Sequence, residues 1–422
     1  MRGRGGLTLR RSLDDPAPEP FRHNPGLDGV RGLGILVVMF GHYSAGLSEW
    51  AQTRLFGFSL IIDLFFVLSG YLITALLLEE WSKARDISMR KFYVRRGLRL
   101  VPALYVLLAV VLVLGLFTDL LPISPKMTIA ETGSAALYVY PLVLIPKGDQ
   151  AFLLHLWTLS VEEWFYFLWP AFLLYLGLRP GTDRRLRMVV WSLVGFSAAC
   201  FALRAVGGDD GLTRLVASLR PDTLAYGTLV AFLLRWLQLR RVEPTPGIAR
   251  FDRVLDVIGP LGFVGLVWFA FFANYPRPPG LSELEFHDIS FVSWNYRLGM
   301  ICAAVAIVHV ANRSTGRIAR TMSWRPLTYL GALSYALYLW HQPVFLVLNG
   351  KAMFNSDPGV EGHVVRSLEG MWAIGLLAAA ISFVIALASR RFVELPALRL
   401  KQRFETVKRH DATDISPERA PS

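Results

Sequence analysis

Residues 55–79 read LFGFSLIIDLFFVLSGYLITALLLE, and this run decides the fold. Its only charges are Asp63 and the terminal Glu79. At about 1.5 Å per residue, a helix of this length reaches about 37 Å. That is enough to cross a hydrocarbon core of about 30 Å. Nine further apolar segments follow the same logic, at about 30–48, 100–121, 152–178, 188–206, 221–237, 254–274, 295–311, 327–349 and 370–389. An eleventh, 129–146, is weaker: it carries Glu131 and Gly133 and runs into Pro146, Lys147 and Asp149. The predicted fold class is therefore all-α: a polytopic membrane helical bundle of about ten transmembrane helices plus one re-entrant or partial segment.

Composition agrees. Hydrophobic residues make up 54% of the 422 residues and charged residues 18%, against about 25% charged in a soluble domain. Mean hydropathy is +0.42. A soluble fold could not bury that much apolar surface, which excludes a disordered chain, a disulfide scaffold and a secreted globular enzyme. The two cysteines, Cys200 and Cys302, lie inside apolar runs and offer neither metal-ligand spacing nor a disulfide framework.

The net charge of +12 would suggest nucleic acid in a soluble chain. Here topology accounts for it. With the N-terminus in the cytoplasm and 122–151 external or re-entrant, 34 Lys/Arg fall in cytoplasmic pieces and seven in external ones. This is a strong positive-inside bias. If 129–146 spanned fully, Arg179, Arg184, Arg185 and Arg187 would fall outside. The reading is a multi-pass cell-membrane protein with both termini cytoplasmic and no nucleic-acid partner. Residues 1–26 form a polar cytoplasmic segment without a cleavable signal peptide. Residues 27–396 form the membrane domain, and 397–422 a polar, disordered cytoplasmic tail.

Ionisable groups inside a membrane are costly and mark function. His42 lies 11 residues beyond Arg31 in the first span, about 16 Å deeper and near mid-bilayer. It is either a packed histidine or a general base, a role that suits a neutral imidazole. Asp63 in span 2 either orients a histidine or pairs with a buried arginine. His155 opens span 4 on the outer side, and Glu162 and Glu163 follow about 10–12 Å further in. Adjacent helical residues diverge by about 100°, so at most one of the two carboxylates can aim at a central cavity. At the mouth of span 6, Arg220 and Asp222 either contact substrate or pair locally. Ser334, Tyr338 and His341 share one face of span 9, beside Tyr335. Arg95, Arg96 and Arg99 form a basic ridge at the cytoplasmic entrance of span 3. It serves either topology and lipid headgroups or the phosphates of a polyanionic ligand. No HExxH, GxSxG or Walker pattern is present, and no metal site is predicted.

These parts suit acyl transfer. A phosphate-bearing thioester docks inside, a hydroxyl arrives from outside, and a histidine takes its proton as the oxygen attacks the carbonyl. A proton-coupled transporter and a non-catalytic envelope-assembly protein are the competing classes. The basic ridge and the lack of an internal repeat count against the first. The mid-membrane histidine counts against the second.

From about residue 26 to 396 the chain resembles the acyltransferase-3 family of integral membrane acyltransferases, which includes O-antigen acetyltransferases. The resemblance rests on seven motifs in order. They are Leu27-Asp28-Gly29-Val30-Arg31-Gly32 with His42, Asp63-Leu64-Phe65-Phe66-Val67-Leu68-Ser69-Gly70-Tyr71, and Arg96-x-x-Arg99 with Pro102. Leu156-Trp157-Thr158-Leu159-Ser160-Val161-Glu162-Glu163-x-Phe165-Tyr166 follows, then Arg220-x-Asp222 with Gly227. Ser334-Tyr335-x-x-Tyr338-Leu339-x-His341-x-Pro343 and Glu394-x-Pro396 close the series. Trp164 stands where many relatives have Gln, and Thr158 where many have Ser; both are expected to tune the pocket.

The resemblance implies transfer of an acyl group, often acetyl, from cytoplasmic acyl-CoA to a hydroxyl of a glycan, glycolipid or glycosylated small molecule. Arg31 and His42 match the family's essential motif. Asp63, Glu162, Glu163 and His341 complete the catalytic candidates. Arg95, Arg96 and Arg99 are candidates for the CoA phosphates. His155, Arg220, Asp222, Ser334, Tyr335 and Tyr338 are candidates for substrate contacts. Acyl-CoA is a co-substrate and no cofactor is permanently bound; membrane lipids are the remaining partners. Many relatives carry a C-terminal SGNH hydrolase-like domain. With about 33 residues after the last span, none is expected here.

Overall fold

The structure, a computed structural model, describes residues 23–44, 60–143, 152–177, 183–206, 216, 219–241, 246–271, 290–312, 316–349 and 368–402. Among the described residues, ten helices of 16 residues or more fall on the ten apolar segments, and no strand is present. In chain order the helices are α1 (Pro25–Ser44), α2 (Leu60–Ala84), α3 (Met89–Phe117), the short α4 (Pro125–Ala136) and α5 (Tyr140–Val143), and α6 (Trp157–Phe172). They continue with α7 (Asp183–Val206), α8 (Pro221–Arg240), α9 (Pro246–Phe271), α10 (Ser290–Asn312), the short α11 (Arg317–Met322), α12 (Arg325–Asn349), α13 (Leu368–Ser389) and the short α14 (Leu395–Gln402). Leu60–Ala84, Met89–Phe117 and the continuous run Trp372–Leu400 are each long and apolar enough to cross a membrane.

The helix surfaces face an apolar solvent. On α9, Val254, Val257, Leu261, Val264 and Trp268 are all exposed. Their spacing of three and four residues makes one continuous stripe. Val106, Val110, Val113 and Phe117 do the same on α3. Water would not tolerate apolar surface on this scale, and lipid tails do.

Local chemistry starts the helices where the sequence changes character. Asn24 accepts from the Gly26 N–H, with Pro25 at the first helical position of α1. Ser124 accepts from the Met127 N–H, with Pro125 next to it. Pro221 follows Arg220, whose φ of 47° is left-handed, so the chain turns sharply into α8.

Small residues set the closest helix pairs. A Cβ on Gly70 would strike the Leu224 carbonyl of α8, and one on Gly227 would strike the Val67 carbonyl of α2. Gly32 approaches the Leu327 carbonyl of α12, and Gly331 approaches the Asp28 carbonyl of α1, in the same way. In a membrane, where lipid competes with apolar side chains, such backbone approach is a main source of helix association. The pairs α1–α12 and α2–α8 bring the histidine of span 1 against span 9, and Asp63 against Arg220.

Residues 129–143 contain no span-length helix. α4 has 12 residues, about 18 Å, and turns back through Tyr138, whose φ is 56°. Glu131 is buried and explains the turn. It accepts from the Tyr140 hydroxyl at 3.0 Å, the Phe152 N–H at 2.9 Å and the Leu153 N–H at 2.5 Å. Burial holds its carboxyl above the usual range, against the opposing pull of these three donors. The carboxylate also satisfies amides just ahead of α6, which begins with a 3₁₀ turn at Leu154–Leu156.

Most of segments 1–26 and 397–422 lies outside the described residues. Of the tail, residues 397–402 continue α14 as helix rather than beginning a disordered tail. Residues 272–289 and 350–367, which link long helices, lie outside the described residues. Of residues 179–187, 179–182 lie outside the described residues and 183–187 begin α7.

Candidate active site

Three histidines from three spans meet. His42 on α1 and His341 on α12 lie with Nδ1 and Nε2 3.3 Å apart and ring centroids 4.9 Å apart. The His155 ring, from the turn before α6, is 5.4 Å from that of His341. Backbone carbonyls fix the tautomers, because a carbonyl can only accept. His341 Nδ1 lies 2.7 Å from the Tyr338 carbonyl and 3.1 Å from that of Leu337. It therefore carries the proton there and turns a basic Nε2 toward His42. His42 Nδ1 lies 3.0 Å from the Val38 carbonyl. With the proton on that nitrogen, the basic lone pair of His42 is on Nε2.

Pro343 explains how His155 is held. It lies inside α12 and has no N–H. The carbonyl four residues earlier, Leu339, thus lacks its helical donor. His155 Nε2 donates to it at 3.2 Å. The His-x-Pro spacing in span 9 therefore does two jobs: it supplies one imidazole and frees a carbonyl that anchors another. His155 Nδ1 is left buried without a hydrogen-bond partner.

An open cleft of about 90 Å³ adjoins this cluster through Val38 and Tyr338, and none of the three histidines is in its lining. Its lining includes the charged Arg31, Arg96, Arg99 and Glu162 and the apolar Val38, Phe65 and Phe66. Thr158 and Tyr338 line it as well. Arg31 has no ion-pair partner among the described residues. Arg96 is held between Glu163, at 3.5 Å, and Glu162, at 4.0 Å, with its guanidinium 3.5 Å above the Tyr166 ring. Glu162 also accepts from the Ser69 hydroxyl at 2.9 Å and the Tyr166 hydroxyl at 3.0 Å. One of the adjacent carboxylates lines the cleft and the other serves α3, as helical geometry requires.

The remaining candidates divide. Ser334 lines the cleft while donating to the Gly331 carbonyl, and Tyr335 lines it while donating to the Leu100 carbonyl. Arg95 turns instead to Glu80, at 3.0 Å. Asp63 does not orient a histidine among these contacts. It is buried, paired with Arg220 at 3.0 Å, and accepts from Thr223 at 3.2 Å. Nor do Arg220 and Asp222 pair with each other: Asp222 is 2.6 Å from Arg297, and both are buried. The two ion pairs cross-tie α2, α8 and α10, and their side chains are absent from the cleft lining.

Sequence reasoning missed two partners. Arg297 is a lone charge in a span, and only the fold selects Asp222 for it. Glu131 is a carboxylate in an apolar stretch, and its isolation there was the available signal. Among the described residues, no group of three or more His, Cys, Asp or Glu side chains is arranged to hold a metal ion.

The comparisons follow this geometry. The chain is 28% identical over 387 residues to the peptidoglycan O-acetyltransferase OatA of Listeria monocytogenes, covering 89% of this chain and 56% of that protein. It is 30% identical over 387 residues to the O-acetyltransferase OatA of Staphylococcus aureus, covering 89% and 57%. The chain thus spans a little over half the length of the curated relatives it matches. No solved structure matches it. The model of the acyltransferase domain of this family matches residues 24–391, most of the chain and every helix of the site. The chain belongs to the acyltransferase-3 family.

Proposed function

We propose that this chain is an O-acyltransferase that moves a short acyl group, acetyl in the first instance, from cytoplasmic acyl-CoA to a hydroxyl of a cell-envelope glycan. One observation carries the reading: the His42–His341 pair lies behind Val38 and Tyr338, which line a cleft that Arg31, Arg96 and Arg99 also line. The family supports acyl transfer. The relatives, O-acetyltransferases, support acetyl as the group, and the Listeria peptidoglycan O-acetyltransferase supports peptidoglycan as the acceptor.

Each part of the site has a task in this reaction. Arg31 and Arg99 meet the phosphates of CoA, for which guanidinium groups are well shaped. Arg96 is steadied by Glu162 and Glu163 and shapes the cleft between donor and histidines. Arg95, engaged with Glu80, has no part in donor binding. His42 takes the proton of the attacking hydroxyl, and His341 holds the His42 ring. CoA comes and goes as a co-substrate. The cytoplasmic excess of Lys/Arg, 34 against seven, supports a cytoplasmic donor side in a ten-span topology with both termini inside.

The test is thiol release from acetyl-CoA by the purified chain, with peptidoglycan fragments as acceptor and mass spectrometry of the glycan product. Loss of general-base assistance costs roughly 10²- to 10⁴-fold in rate. His42→Ala should therefore still insert and bind CoA while losing transfer by that factor. Near-normal transfer in His42→Ala would move the base elsewhere. No thiol release by the unaltered chain with any glycan acceptor would sink the reading.

A further inference from the structure

The wall between the cleft and the histidines carries two hydroxyls. Tyr338 donates to the His155 carbonyl. Thr158 Oγ1 is 2.5 Å from the Tyr338 hydroxyl and 3.3 Å from the same carbonyl. Two hydroxyl protons thus surround one backbone acceptor. The carbonyl needs only one of them. If either hydroxyl turns to a new acceptor, the other still satisfies the carbonyl, and no buried group loses its partner.

Both side chains also line the cleft. Tyr338 reaches the histidines too: its ring lies 5.8 Å from that of His341 and 5.4 Å from that of His155. The hydroxyls therefore sit on the side of the cleft that adjoins the His155 and His341 rings. Acyl transfer needs a preorganised donor for the oxygen that gains charge in the transition state. A spare, prepositioned hydroxyl proton at that wall meets the requirement.

We infer that Thr158 and Tyr338 are catalytic residues forming the oxyanion site for the thioester carbonyl. The inference rests on the proposed acyl-CoA reaction. The acceptor oxygen bonds to the carbonyl carbon, and its proton passes to His42. The C=O electron pair moves onto oxygen, which accepts from one hydroxyl of the pair while the other keeps the His155 carbonyl. The C=O bond re-forms as the carbon–sulfur bond breaks. The CoA thiolate leaves with the proton from His42, giving ester and CoA thiol.

The test uses the full chain in lipid nanodiscs, acetyl-CoA as donor and thiol release as readout. Removing one oxyanion donor costs roughly 10²- to 10³-fold in kcat. Tyr338→Phe and Thr158→Val should each lose kcat on that scale, while the KM for acetyl-CoA stays within about threefold. Thr158→Ser, which keeps the hydroxyl, should recover most of the rate lost in Thr158→Val. Melting temperature and affinity for unacylated CoA should move little in all three. Wild-type kcat in both hydroxyl-deleted variants would overturn the assignment while leaving the acyl-CoA reading intact. So would a Thr158→Ser variant as slow as Thr158→Val, or a raised KM with kcat preserved. An unaltered chain that releases no thiol from acetyl-CoA would remove both.

Discussion

Pro343 is the residue whose effect reaches furthest beyond its own size. By lacking an N–H it leaves Leu339 a carbonyl to offer, and His155 takes it. Pro343→Ala would return an N–H that competes for that carbonyl. The helix gains a hydrogen bond and His155 loses one. A bond of this kind is worth about 1 kcal/mol, or about fivefold in rate if it is felt in the transition state. The expected variant therefore has an unchanged or higher melting temperature and a transfer rate about fivefold lower. A fall in both together would mean that the proline serves packing alone. At this scale the sequence was partly legible. Spacing placed Tyr338 and His341 on one face of span 9, and their rings lie 5.8 Å apart. The convergence of His155 on them was hidden, because it depends on which carbonyl a proline leaves open to a helix 184 residues away.

Elements are joined by two kinds of contact that the sequence shows unequally. Glycines announce close approach: Gly70 stands beside Ser69 in the middle of span 2, and its partner carbonyl on α8 follows from the fold. Charges in spans announce only that partners exist. Asp63 reads equally well as a histidine's orienter or as half of an ion pair, and only the packing of α2 on α8 selects Arg220. This exchange gives a prediction that separates structure from chemistry. Removing one member of a buried pair leaves an uncompensated charge and costs about 3–5 kcal/mol. Arg220→Ala should therefore lower thermal stability on that scale in detergent, while the folded fraction keeps its KM for acetyl-CoA. The double variant Asp63→Asn with Arg220→Gln, which removes both charges, should recover much of the stability. A stable Arg220→Ala variant with a raised acceptor KM would return this arginine to the substrate site.

For the molecule as a whole, orientation is the property on which donor and acceptor access depend. The sequence offers a charge census for it, and the proposed orientation rests on that census. The long helices among the described residues fall on the expected segments, and α4, with 12 residues, is shorter than a span. In the proposed ten-span topology the link between α2 and α3 is inside and the link between α3 and α4 outside. Asp86 and Asp119 are exposed on those two links. Single cysteines there, in a chain with Cys200 and Cys302 replaced by serine, should label oppositely. Asp119→Cys should react with a membrane-impermeant maleimide in intact cells, and Asp86→Cys only after permeabilisation. Arg187, exposed near the start of α7, is the critical third position. It lies beyond α4, so its side depends on whether the hairpin from Pro125 to Val143 crosses. With the hairpin held on the outer side by Glu131, Arg187→Cys must label only from the cytoplasm. Labelling it from outside would invert every span after α6 and carry the arginine-rich loops across the membrane. The cleft would then be built from helices whose charge bias points both ways, and the cytoplasmic donor site argued above could not stand.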